Sequence, residues 1–234
     1  MLIFYTSSDD RFTLLHKGND LPSPIAEGAS VSLSSGLLCL GGITPEGISD
    51  RCWLVSFNGK EVITDSLPSL PLPVKNASAA MIGTNVYLVG GELADGTSSN
   101  QFLTLNLNNP ENGWVRLAHS PLYVSGASLS TQQDGEEYSL FLFGGRSKKE
   151  HHTTTFYSSL FQYRPSKGGW VEKKDIRNNG RPIQLSMATA LPIGASHILL
   201  YGGDTGEIFN QIEQARYDGN QSLADSLQMN HTGF

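Results

Sequence analysis

Four times the chain climbs through a short apolar run into a Gly-Gly pair. The runs are LLCL before Gly41-Gly42, VYLV before Gly90-Gly91, LFLF before Gly144-Gly145 and ILLY before Gly202-Gly203. Successive pairs are 49, 54 and 58 residues apart. A short continuous apolar run bounded by turn residues is what a strand buried on both faces looks like. Glycine at its end supplies backbone angles closed to other residues and lets neighbouring backbone come close. Self-similarity at this interval restricts the fold to an array of like units, each burying its apolar face against the next.

The rest of each unit is consistent with that reading. A stretch of small residues comes first: Gly28-Ala29-Ser30, Asn76-Ala77-Ser78, Gly126-Ala127-Ser128 and Met187-Ala188-Thr189. Small side chains suit strands that crowd around a narrow central channel. An alternating third strand follows each of the first three glycine pairs, in RCWLVSF, NQFLTLNL and SSLFQYRP. A fourth strand opens on Trp114 and on Trp170, and Trp53 lies on a third strand; all three read as packing between units. Strand–Gly-Gly marks at an interval of about 50 residues are the kelch pattern, one four-stranded antiparallel propeller blade per repeat. The expected fold is therefore an all-β kelch propeller.

The repeats divide the chain into a half blade over 1–24, full blades over about 27–72, 73–122 and 123–182, and a second half blade over 183–213. Residues 214–234 form a polar tail, with a short helix expected around Ser222-Met229. These amount to about four blade units. Two arrangements follow. The last half blade pairs with the first and closes a four-bladed ring, or the chain is part of a larger propeller. An open propeller exposes strand edges and an inter-blade face, which favours self-association.

Composition removes several classes of partner. Net charge is −6, which disfavours nucleic acid and anionic membrane, since both reward a basic face. No apolar run approaches the length of a spanning helix. Met1-Tyr5 is apolar but lacks a positive leading region and a small-residue cleavage site, so it reads as a strand rather than a signal peptide. Cys39 and Cys52 flank a turn and are placed to face each other across a hairpin, as free thiols. Adjacent His151-His152 in a long loop lack a third ligand at metal spacing. No Gly-x-Ser-x-Gly elbow and no phosphate loop occurs.

The stretch YGGDTGEIFN, from Tyr201 to Asn210, resembles an element of the kelch-type N-acetylneuraminate (sialate) mutarotases, also called epimerases, in their cyclically permuted form. GASVSLSSGLLCLGG resembles the last repeat of the unpermuted enzymes and NASAAMIGTNVYLVGG their first. The resemblance covers about residues 24 to 213. It implies a six-bladed propeller, an isomerase that interconverts the α and β anomers of N-acetylneuraminate, no metal or organic cofactor, and a periplasmic location in bacteria. The acid/base glutamate of that family and its arginine have no counterpart here, so the resemblance places both outside this chain.

Mutarotation needs a base at the anomeric hydroxyl and an acid at the ring oxygen, and a sugar acid needs cationic donors for its carboxylate. In a propeller these groups come from loops on one face. The candidates after the glycine pairs are Glu46, Glu92, Asp95, Arg146, Lys148, Asp204, Glu207 and Asn210. Those entering the inner strands are Glu27, Lys75, Arg181 and Gln184. We single out Arg146, Lys75, Arg181, Asp204 and Asn210 as substrate-binding residues. Arg146 follows Gly145 directly and starts near the channel mouth. The competing reading is a kelch binding module, for a protein or a carbohydrate, without catalysis.

Overall fold

The computed structural model describes residues 3–8, 11–17, 23–58, 60–148, 154–206, 219 and 221–223, with backbone alone for the first two segments. The structure is almost entirely antiparallel β. One four-stranded sheet comprises Ala29–Leu33, Gly36–Leu40, Cys52–Phe57 and Val62–Leu67, neighbours in that order. A second comprises Ser78–Ile82, Asn85–Val89, Phe102–Asn106 and Val115–Arg116. A third comprises Ser128–Gln133, Tyr138–Phe143, Leu160–Arg164 and Gly169–Lys173. A hairpin of Ile3–Ser8 and Arg11–Lys17 precedes them, and a hairpin of Thr189–Ile193 and His197–Tyr201 follows. No helix among the described residues is long and apolar enough to cross a membrane.

The core lies between sheets. Ala29, Val31, Leu38 and Leu40 of the first sheet meet Val86, Leu88 and Leu103 of the second. Ala80, Tyr87, Val89 and Phe102 of the second meet Leu129, Leu140, Leu142, Phe161 and Tyr163 of the third. The second strands of the second and third sheets are therefore buried on both faces, which explains their unbroken apolar runs, whereas in the first sheet Leu38 and Leu40 are buried and Leu37 is exposed. Each large apolar side chain sealed in this way contributes about 1.5–3 kcal/mol. Trp114 and Trp170 pack between sheets as expected. Trp114 lies against the first cluster and donates its indole N–H to the Pro68 carbonyl at 2.9 Å. Trp170 lies against the second, with its ring 5.0 Å from Phe102 and 5.3 Å from Tyr163. Trp53 is buried in the first sheet.

The glycine pairs bolt one sheet to the next. Gly42, Gly91 and Gly145 donate their N–H groups to Val74, Val124 and Leu185 carbonyls at 2.8, 2.8 and 2.7 Å. Those carbonyls belong to the residues that lead into the following sheet. The first glycine of each pair sits directly beneath the same carbonyl. A Cβ on Gly41, Gly90 or Gly144 would lie 2.4, 2.2 or 2.1 Å from that oxygen. Close approach, together with a positive φ, is why both positions are glycine.

Two expectations are corrected. Cys39 pairs with Trp53 and Cys52 with Leu40, so the two cysteines sit at alternate register positions and point to opposite faces of the sheet. They do not face each other; Cys39 is half-buried, and burial pushes the Cys52 thiol pKa up to about 12. The register of the first small-residue stretch also shifts by one, for a reason seen at the channel mouth. The helix expected around Ser222-Met229 falls outside the described residues except for a helical turn at 221–223.

Candidate functional site at the channel mouth

The residue that opens each inner strand has left-handed backbone angles: Glu27 (φ 55°), Asn76 (52°), Gly126 (60°) and Met187 (58°). These four form a belt. Asn76 N–H donates to Glu27 O at 2.7 Å, Gly126 N–H to Asn76 O at 2.8 Å, and Met187 N–H to Gly126 O at 2.6 Å. The equivalent stretches are thus Glu27-Gly28-Ala29, Asn76-Ala77-Ser78, Gly126-Ala127-Ser128 and Met187-Ala188-Thr189. Gly28 imitates a small first residue in the sequence, which displaces the expected register in the first unit.

Beside the belt, the residue before each left-handed position bridges to the residue after each glycine pair. The backbone pairs are Ala26 with Ile43, Lys75 with Glu92, Ser125 with Arg146, and Ser186 with Asp204. This ladder puts the charged candidates in one zone. Lys75 Nζ lies 2.8 Å from Glu27 Oε2 and 3.7 Å from Glu92 Oε1. Asn76 Nδ2 donates to the same Glu27 oxygen at 2.8 Å. The Lys75 hydrogen bond holds the Glu27 carboxyl below its usual range, partial burial opposing it. Glu27 in turn raises the Lys75 pKa. Arg146 is near enough for its charge to favour ionised Glu27 and to oppose ionised Lys75. Lys75 therefore has two carboxylates. The Arg146 guanidinium has none within 4 Å among the described residues.

Arg146 begins a short hairpin, Arg146–Lys148 paired with Thr154–Phe156. Its carbonyl accepts from Ser125 N–H at 2.8 Å, and its N–H donates to Ser125 O at 2.9 Å. Arg146 and Lys148 share one side of this hairpin, two residues apart, and buried Ser147 faces the other. Loop residues of the second sheet brace the hairpin, since Lys148 N–H donates to Ser98 Oγ at 3.0 Å. A charged side chain is thus held on a backbone pinned from two sheets.

The other candidates are placed differently. Asp204 is half-buried, pairs with Ser186, and accepts the Gly206 N–H on its own Oδ1 at 2.8 Å, so its carboxylate stabilises its own turn. Arg181 stands on an exposed hairpin, Arg177–Asn178 with Arg181–Pro182, and shares no hydrogen bond or ion pair with the cluster. A surface concavity of ≈ 340 Å³ beside that hairpin is lined by Ser158, Pro182, Ile183, Gln184 and Thr205, and includes none of the charged cluster. Glu46 and Asp95 are exposed turn residues. Asn210, Glu207 and His151-His152 lie outside the described residues. Sequence reasoning undervalued Glu27 and Asn76. The signal available was their place directly before small residues at the start of each unit.

Chemically, the zone offers an ionised carboxylate and an amide at one seam between sheets, and a guanidinium free of described carboxylates at the next. Such groups are chemically suited to a ligand that has an anionic group at one end and hydroxyls at the other.

Comparison with known proteins gives consistent results. No family profile matches the chain. N-acetylneuraminate epimerase of Brucella suis is 28% identical over 167 residues, which cover 70% of this chain and 39% of that protein. The protein of the same name from Haemophilus influenzae is 27% identical over 146 residues, covering 61% and 35%. That from Salmonella enteritidis is 27% identical over 147 residues, covering 62% and 35%. The chain thus spans about two fifths of the length of the curated relatives it matches. The solved structure of YjhT superposes with a TM-score of 0.59 and 17% identity, over 76% of this chain and 58% of that one. In fold the chain is a kelch β-propeller, and in sequence it is similar to the N-acetylneuraminate epimerases.

Proposed function

We propose that this chain supplies the carboxylate-binding part of a sialate mutarotase, an isomerase that exchanges the α and β anomers of N-acetylneuraminate. The observation that carries this reading is Arg146. It follows a Gly-Gly pair at the channel mouth, is braced by two sheets, and has no described carboxylate partner. Its neighbour Lys75 is held by Glu27 and Glu92. A planar guanidinium takes a carboxylate through two parallel hydrogen bonds, which fixes the sugar's orientation. The names of the curated relatives support the substrate class in this reading, and the charge distribution supports the binding mode.

Exchange of anomers opens the hemiketal ring and recloses it on the other face. A base takes the anomeric proton and an acid protonates the ring oxygen. Glu27 is poorly suited to the base role, because Lys75 and Asn76 stabilise its ionised form and weaken its proton affinity. This supports placing the proton-transfer carboxylate outside this chain. Glu27 and Asn76 then serve as acceptor and donor for sugar hydroxyls, with Asp204 and Asn210 as further polar contacts. The reaction in this reading needs no metal or organic cofactor, and its setting is the bacterial periplasm.

The test is a calorimetric titration of N-acetylneuraminate into the protein and into Arg146→Gln. A charge-assisted pair contributes about 1.5–3 kcal/mol, so the substitution is expected to weaken binding by roughly 10- to 150-fold. Equal affinity of the two proteins overturns the assignment of Arg146. Absence of binding by the unsubstituted protein overturns the sugar-acid reading.

A further inference from the structure

The belt contains an asymmetry that folding alone does not explain. All four positions require left-handed backbone angles, and glycine meets that requirement without steric cost at Gly126. At the other three the chain keeps a side chain in spite of the cost, and retained strain of this kind concentrates at functional sites. Two of the three have visible work, since Asn76 hydrogen-bonds the Glu27 carboxylate. Met187 has no such role. It is 48% exposed and belongs to neither core cluster.

The Met187 side chain nonetheless has a definite place. A Cβ on Gly126 would lie 2.6 Å from Met187 Sδ, so the thioether crosses the space that the glycine leaves open. Gly126 directly follows Ser125, the backbone partner of Arg146. The belt therefore runs from carboxylate, to amide, to an open step, to an exposed thioether, with the Arg146 backbone alongside the open step. Methionine is flexible and polarisable, and suits a small apolar group that must be held without exact shape complementarity.

We infer that Met187 is a specificity-determining contact, whose thioether packs against the acyl methyl of an N-acylated sugar acid held through its carboxylate by Arg146. The inference rests on the carboxylate-site reading and names which substituent that site selects. Gly126 is then glycine for a second reason: a side chain there would displace the thioether from the position where it meets the ligand.

The experiment compares the protein with Met187→Gly by calorimetric titration of two sugars, N-acetylneuraminate and the analogue with a hydroxyl in place of the acetamido group. Loss of one apolar contact is expected to weaken binding of the acetamido sugar about five- to tenfold and to leave the hydroxyl analogue within about twofold. The thermal midpoint of Met187→Gly should be unchanged or raised, because glycine relieves the left-handed backbone. Equal weakening of both sugars, no weakening of either, or a lowered midpoint overturns the contact while leaving Arg146 in place. Failure of the unsubstituted protein to bind either sugar overturns the carboxylate-site reading and this contact together.

Discussion

Replacing Gly90 by alanine should damage the fold far more than the same change at Gly83, although both glycines flank the same strand. The two have similar backbone angles, φ 67° and 59°. Each alanine therefore carries the left-handed cost of about 1–2 kcal/mol. At Gly83 nothing described lies within 4 Å of the new Cβ, so the cost ends there. At Gly90 the Cβ would lie 2.2 Å from the Val124 carbonyl oxygen and 3.0 Å from its side chain. Val124 is fully buried, so the neighbouring sheet has to move as a unit. Moving it lengthens the 2.8 Å bond from Gly91 N–H to Val124 O. That bond contributes about 1 kcal/mol and the overpacking costs about 1–3 kcal/mol more. The totals are about 3–6 kcal/mol for Gly90→Ala against about 1–2 kcal/mol for Gly83→Ala. For a chain of this size the thermal midpoint should fall by roughly 10–20 °C and roughly 3–6 °C respectively. Tryptophan fluorescence is the natural probe, because Trp114 and Trp170 sit in the two inter-sheet clusters. Equal losses at the two positions would refute the idea that Gly-Gly is a bolt between sheets and leave it a mere turn.

Two further outcomes are expected. Asp134 accepts the Glu136 and Glu137 backbone N–H groups at 2.9 and 3.0 Å, the Ser139 hydroxyl at 2.9 Å, and Gln162 and Arg164. These donors, the Glu137 N–H first, hold its carboxyl well below the usual range. The folded value lies below the unfolded one, so this stability is full above about pH 4 and drains away as acid approaches the lower folded value. Asp134→Asn should lower the midpoint at neutral pH and flatten the loss of stability between about pH 4 and pH 2; an unchanged acid slope would show that the cluster is not coupled to folding. Ser78 and Ser128, the first residues of two inner strands, donate their hydroxyls to the Ala127 and Ala188 carbonyls of the next unit. Ala29 holds the equivalent place without a hydroxyl, so Ala29→Ser should add a bond to the Ala77 carbonyl and raise stability by about 1 kcal/mol, measured by urea unfolding; a loss would show that the geometry is not repeated there.

Much of the fold was legible because it depends on local rules. VYLV and LFLF announce strands buried on both faces, LLCL a strand with one buried face, and the glycines after all three announce close approach. Both signals lie within a few residues. The site was less legible because its parts meet only through the repeat. Lys75 reaches Glu27 across 48 positions of sequence, and no local pattern pairs them. The belt was hidden for a different reason. Glu27, Asn76, Gly126 and Met187 share no side-chain chemistry; what they share is a backbone angle set by hydrogen bonds from the adjoining sheet. Gly28 then concealed the equivalence of Glu27 by resembling the small residues of the other units. The backbone place of Arg146, bridged to Ser125 directly after a glycine pair, followed from the Gly-Gly signal alone. Among the described residues the Arg181 hairpin has no counterpart in the other units, so the repeat gave no guide to where it projects.

The most direct test of the account is exchange NMR on N-acetylneuraminate with this protein added. It reads ligand contact and anomer exchange in one sample. The account predicts saturation transfer from protein to sugar that disappears in Arg146→Gln, with the α and β anomers exchanging at their rate in buffer because Lys75 holds Glu27 and Glu92 and the Asp204 carboxylate binds its own turn. Absence of saturation transfer would contradict the binding claim. Accelerated exchange would contradict the claim that the proton-transfer carboxylate lies elsewhere.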